Sequence, residues 1–221
     1  MTFASTIALG FLLGMRHATD ADHVAAVAAT VGRERLVRPA AWIGMWWGVG
    51  HTLTIVLVGA AIVLFDWIVE PRLGLAMEFV VGLMLVLLGV GNLRAARASE
   101  TPEHADREAG TTHIARPLVV GVVHGLAGSA AVALLVMTTI RAPAWEVIYL
   151  LVFGAGTIAG MMLITMTIAM PFVSYGERSV NRQSFMRLAT GVASVALGLF
   201  LTYRIAVIDG LFAAVPTWTP K

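Results

Sequence analysis

Apolar residues run along this chain in six long blocks separated by short polar stretches, at about 3–31, 40–65, 73–93, 117–140, 147–173 and 188–210. A bilayer core needs ~20 mostly apolar residues per helical crossing, so each block predicts one membrane-spanning helix. Together the blocks use nearly the whole chain, which reads as a single transmembrane domain over residues 1–221, an all-α integral membrane protein. No stretch remains for a soluble domain, so any chemistry must sit among the helices or in short loops. Composition agrees: 58% of residues are hydrophobic and 13% charged, with a mean hydropathy of +0.85, outside the usual range of soluble domains. A cleaved signal peptide suits the first block badly, because nothing basic precedes the apolar run and Arg16 follows it. The chain has no cysteine, which excludes disulfides, iron–sulfur clusters and thiol relay chemistry.

The net charge is only +2, and the arginines gather in alternate loops instead of on one basic face. They report orientation and give no sign of a nucleic-acid partner. The loop Gly32–Pro39 holds Arg33, Arg35 and Arg38; the loop 94–116 holds Arg94, Arg97, Arg107 and Arg116; the loop 174–187 holds Arg178, Arg182 and Arg187; the opposite loops carry Arg72 and Arg141. The positive-inside rule places the three arginine-rich loops in the cytoplasm and both termini outside the cell membrane. Trp42 and Tyr175 then fall near the inner interface, and Trp67 and Trp145 near the outer one, as an aromatic belt requires.

The two halves of the chain match. Gly14-Met-Arg-His17 aligns with Gly121-Val-Val-His124, Trp46–Thr52 with Val152–Ile158, and Gly82–Gly89 with Gly191–Gly198, at offsets of 107, 106 and 109 residues. A repeat of three helices is odd-numbered, so its second copy enters the membrane from the opposite side, as in inverted-repeat transporters. Repeat one spans about 3–93 and repeat two about 117–210, joined by a cytoplasmic linker over 94–116. His104 and His113 in that linker read as polar loop residues, with a weak metal-collecting tract as the other reading. The glycine face of Gly154, Gly156 and Gly160 predicts close helix packing.

Ionisable side chains at bilayer depth cost several kcal/mol and occur where they are functional, paired or facing a wet cavity. The first block places Arg16, His17, Asp20, Asp22 and His23 within eight residues. An ion pair between Arg16 and Asp20, one turn apart, accounts for two of them and leaves Asp22 and both imidazoles unexplained. Imidazole with carboxylate is the ligand set of borderline first-row cations, so nickel, cobalt, zinc and copper(II) all fit by ligand type, whereas magnesium and calcium ask for all-oxygen sites. The stripe of Met162, Met166 and Met170 reads as packing more readily than as a path for a soft metal. On an ideal helix His17, Asp20 and His23 share one face, while Asp22 points ~140° away from His17. Bringing His17, Asp22 and His23 onto one ion therefore requires a break between His17 and His23; an uninterrupted helix would leave His17, Asp20 and His23 as the ligand face. Two further histidines lie at depth: His51, near the middle of the second block, and His124, the repeat mate of His17. Glu78 is either an entry carboxylate or a residue that snorkels to the interface.

The stretch from Arg16 to Val24, "RHATDADHV", contains His17-x4-Asp22-His23 and resembles the H-x4-D-H signature of the nickel/cobalt transporter superfamily. "WWGVGHTLTIVLVG", from Trp46 to Gly59, is similar to that family's second conserved helix, with its Gly-His-Ser/Thr step. The chain departs from the pattern at Ala28 and Ala29, where the family carries an Asp-Asn pair, at Ala127 and Ala131, where its fourth-helix motif carries acids, and in having six blocks where eight helices are usual. "HGLAGSAA" and the short length resemble instead the six-helix, urease-accessory-type branch of the same superfamily.

Residues and resemblance together predict a 3+3 inverted-repeat permease for a divalent transition-metal cation, nickel first and cobalt second, working as an importer. It is not an enzyme and holds no permanent cofactor; the ion is cargo. The predicted ligands are His17, Asp22 and His23, with Asp20 as a further ligand or hydrogen-bond acceptor, His51 and His124 completing or relaying the site, Arg16 balancing the carboxylates and Glu78 accessory. No P-loop is present; an inside-negative potential favours inward movement of a divalent cation by ~4.6 kcal/mol per 100 mV. Three alternatives use the same residues. One is a non-transporting membrane metallochaperone or accessory subunit that serves the maturation proteins of a nickel enzyme. Another is an efflux permease, which calls for a histidine-rich loop where only His104 and His113 are on offer, and the third is a membrane-embedded hydrolase with a histidine–metal centre.

Overall fold

Where water is excluded, backbone N–H and C=O groups must be paired within their own segment, so long apolar runs form long helices. The structure, a computed structural model, describes residues 3–31, 37–65, 69–97, 112–139, 143–176 and 180–218. Among them every regular element is helical: α1 (Phe3–His17), α2 (Ala21–Val31), α3 (Val37–Phe65), α4 (Pro71–Arg97), α5 (Thr112–Thr139), α6 (Pro143–Gly176), α7 (Val180–Tyr203) and a π turn, Arg204–Ile208. Among the described residues, four helical stretches are long and apolar enough to cross a membrane: Val37–Ile62, Pro71–Arg97, Trp145–Pro171 and Ser184–Ile208. The first block is instead two shorter helices, interrupted at Ala18–Asp20. Large apolar side chains such as Leu57, Phe65, Leu87 and Phe185 stand exposed on the outer helix faces, a surface suited to lipid.

The helices outrun the hydropathy blocks. α4 continues through Arg97 and α5 begins at Thr112, so both ends of the linker expected over 94–116 are helical. Hydropathy marks the portion at lipid depth, while backbone hydrogen bonding runs on into polar turns; Arg94 and Arg97 suit the C-terminal turn of α4, where the macrodipole favours cations. The remainder of the linker, with His104 and Arg107, lies outside the described residues, as do Arg33, Arg35, Trp67, Arg141, Arg178 and the side chains of His113, Ala131, Tyr175 and Arg182. Trp42 and Trp145 are both exposed, as interfacial tryptophans are.

α3 runs through the centre, packed on α5 and on α6; α1 lies along α6, α4 along α7, and α2 touches α4, α6 and α7. Glycines set how closely these helices approach, because without a Cβ they admit the neighbouring backbone. A Cβ on Gly14 would overlap the carbonyl of Phe153, and one on Gly121 the carbonyl of Trp47; Gly156 lies likewise on the carbonyl of Phe11 and Gly50 on that of Leu118. Gly89 faces the carbonyl of Gly191, and Gly198 that of Gly82, each with 2.7 Å between oxygen and a would-be Cβ. In every pair the second contact joins the positions that the sequence alignment makes equivalent to the first. The expected close packing at Gly154, Gly156 and Gly160 is present, against Thr52, Phe11 and Met15 with Ala18. Of the methionine stripe, Met170 is exposed and Met162 and Met166 only half-buried, whereas Met161 enters the core with Trp47, Val27, Val31 and Leu85.

After the π turn the chain reverses at Gly210, whose φ of 74° favours glycine, and folds back onto the start of α4. Arg72 donates to the carbonyls of Ala213 and Ala214, Phe212 meets Phe79 edge-on, and Trp218 packs over Gly74.

Candidate metal centre

α1 ends at His17 because the next residues abandon the helical ladder: Thr19 N–H donates to Arg16 O at 2.8 Å and Asp20 N–H to His17 O at 3.1 Å, a tighter turn. The Thr19 hydroxyl donates to the same Arg16 carbonyl. The carbonyl of Asp20 then accepts Val24 N–H at 3.0 Å, which starts α2, and Asp22 sits in its first turn, where the helix dipole favours a negative charge. The break expected between His17 and His23 is thus present, over Ala18–Asp20. Ala18 is fully buried against Gly160, while Thr19 and Asp20 are exposed.

This turn gathers five ligand-type side chains from four helices. His17 and His51 bring their Nε2 atoms to 3.1 Å. Asp22 bridges two imidazoles, with Oδ1 3.1 Å from His23 Nδ1 and Oδ2 3.1 Å from His124 Nε2; its Oδ1 also accepts the backbone N–H of His23. The side chains of His23 and His124 are 3% and 1% exposed, those of His17 and Asp22 16% and 31%, and His51 is fully buried. Asp20, 53% exposed, holds His17 Nδ1 at 2.8 Å. A carboxylate on the outer nitrogen of a ligating imidazole fixes the ring and raises its basicity.

Potential ligand atoms of His17, His23 and His51 lie within 4.8 Å of one another, and so do those of Asp22, His23 and His124. The six residues expected from sequence therefore converge, but His17, Asp22 and His23 do not form one set: His23 belongs to both triplets, His17 and Asp22 to one each. His23 Nε2, His51 Nδ1 and His124 Nδ1 are buried without a hydrogen-bond partner among the described residues.

Two expected accessories lie elsewhere. Arg16 is exposed and makes no ion pair with Asp20 among the described residues, because Asp20 turns to His17 at the break. Glu78 accepts a hydrogen bond from Trp218 Nε1 at 2.9 Å, which ties it to the C-terminal segment and not to the histidines. Two aromatic walls were not expected. Trp47 lies 5.6 Å from the His124 ring and stacks on His23 at 6.4 Å; Phe153 lies 5.5 Å from His17. The signal was available: Trp47 is one turn before His51, and the repeat alignment pairs Trp47 with Phe153.

No family model matches the chain, and no solved structure does. It is 34% identical over 218 residues to the urease accessory protein UreH of Bacillus sp. (strain TB-90), an alignment that takes in 94% of this chain and 95% of the relative. With that identity sustained from end to end, the chain belongs to the family of the urease accessory protein UreH.

Proposed function

We propose that this chain is a cell-membrane permease for a divalent transition-metal cation, nickel first and cobalt second, that imports the ion along the membrane potential. What supports this most is the convergence of four imidazoles and Asp22, mostly buried, around a helix break among apolar helices, with three imidazole nitrogens that have no partner among the described residues. Buried imidazoles with one carboxylate suit nickel, cobalt, copper(II) or zinc better than magnesium and calcium, and broken helices are where transporters build ion sites. The paired glycine contacts support six spans arranged as a 3+3 inverted repeat, over about 3–93 and 117–210, with both termini outside. With the His17-x4-Asp22-His23 motif they also support a place in the nickel/cobalt transporter superfamily. No catalytic step is assigned.

The relative's name favours a second reading, in which the chain hands the ion to maturation proteins of a nickel enzyme without carrying it across the membrane. Nickel uptake into liposomes that contain only the purified chain, under an inside-negative potential, separates the two. Uptake by the parent and its loss on replacing His17, Asp22 or His23 by Ala is expected of a permease; an ion bound but not carried points to the accessory role.

A further inference from the structure

Resting on that metal-binding reading, we infer that the five side chains form two alternative positions for one cation: one lined by His17, His23 and His51, the other by Asp22, His23 and His124, with His23 shared.

Distances decide against a single common site. Nitrogen and oxygen ligands stand about 2.0–2.2 Å from a first-row cation, so two ligands of one ion are at most about 4.4 Å apart. Each triplet spans up to 4.8 Å and closes on an ion after shifts of some tenths of an ångström, but the five do not fall together within that distance. Of the two nitrogens of His23, Nδ1 lies 3.1 Å from Asp22 Oδ1, while Nε2 has no partner among the described residues. A neutral imidazole carries a lone pair on one nitrogen only, so His23 serves one position at a time. Electrostatics points the same way, since two divalent cations a few ångströms apart would have to share Asp22 and the outer Asp20 as their only carboxylates.

The positions differ in chemistry and in exposure. The first is all nitrogen, with the exposed Asp20 beside His17; the second includes the partly exposed carboxylate of Asp22. The nearly buried His23 separates them. An ion that moves between them exchanges two ligands and keeps the same residue as its third; where it passes from one nitrogen of His23 to the other, the imidazole N–H proton changes nitrogen with it.

Cobalt(II) is the probe, because its visible bands respond to nitrogen-for-oxygen exchange. The detergent-purified parent should bind one cobalt per chain. His51→Gln weakens the first position and should move the bands towards oxygen ligation. His124→Gln weakens the second; it should leave the nitrogen-ligated bands of the first position in place and cut cobalt uptake into liposomes about tenfold, because the ion still binds but passes on slowly. Circular dichroism of both variants, with the Ala variants alongside, establishes that each is folded. Two cobalt ions bound at once to the parent, or identical spectra and identical losses of affinity in folded His51→Gln and His124→Gln, would overturn the two-position arrangement while leaving the metal-binding reading intact. A parent that binds no cobalt overturns both.

Discussion

His17 at the end of α1 and His124 within α5 are equivalent positions in the alignment of the two halves of the sequence. Each follows three residues after a glycine seated on the carbonyl of an aromatic residue, Gly14 on Phe153 and Gly121 on Trp47, and each ring lies beside that same aromatic, at 5.5 Å and 5.6 Å. Beyond the histidine the regions part. After His17 the helix breaks and restarts with Asp22 and His23; after His124 the helix continues to Thr139, and the equivalent sequence positions are Ser129 and Ala130. Packing thus repeats where ligands do not. One half can supply the carboxylate and three of the imidazoles because the crossing of α5 delivers the fourth, His124, to Asp22.

The largest expected effect separates those two histidines. His17→Ala should abolish nickel uptake into liposomes, whereas His124→Ala should slow it about tenfold, the remaining Asp22 and His23 still accepting the ion. Equal loss in both would mean that the second half carries as much of the chemistry as the first.

Acid should act on the imidazoles of both regions. Neutral imidazole is the ligand form and binding releases protons, so lower pH weakens binding and uptake should fall as the entry side is acidified. Uptake that does not fall on acidification would count against imidazole ligation in both halves.

Where packing alone is compared, the halves should respond alike. Gly14→Ala and Gly121→Ala each drive a methyl into a facing carbonyl and should each lower stability by about 1–3 kcal/mol in thermal unfolding; a large difference between them would break the equivalence of the two seams. The smallest effect concerns Glu78. Glu78→Gln keeps an acceptor for Trp218 and should leave uptake within about twofold of the parent, and a larger loss would return this residue to the ion path.

The break over Ala18–Asp20 was legible in the sequence because the angular spacing of His17, Asp22 and His23 is incompatible with one ligand face on a continuous helix. The placement of His124 near Asp22 agrees with the alignment of the two halves of the sequence, which relates residues far apart in the chain. The division of ligands into two sets was not legible, since it depends on how α3 and α5 cross the broken helix and on which ring nitrogen each side chain presents. Nor was the partner of Glu78: Trp218 lies 140 residues away, and apart from Gly210 no local pattern marks the reversal that brings it back. The helices run past the hydropathy blocks, to Arg97 and from Thr112, for a simpler reason, that hydropathy reports where lipid ends and not where hydrogen bonding does.

On the proposed function, the nitrogens of His23, His51 and His124 that lack a partner among the described residues would make the fold's stability depend on the bound ion. A buried polar atom without a partner costs about 1–3 kcal/mol, and a ligand that binds only the folded chain returns RT ln(1 + [L]/Kd), about 2.7 kcal/mol at a hundredfold excess over Kd. Under metal starvation the chain is then at its most fragile and most exposed to proteolysis, so the amount of this protein in the membrane would track supply of the ion without any change in its synthesis.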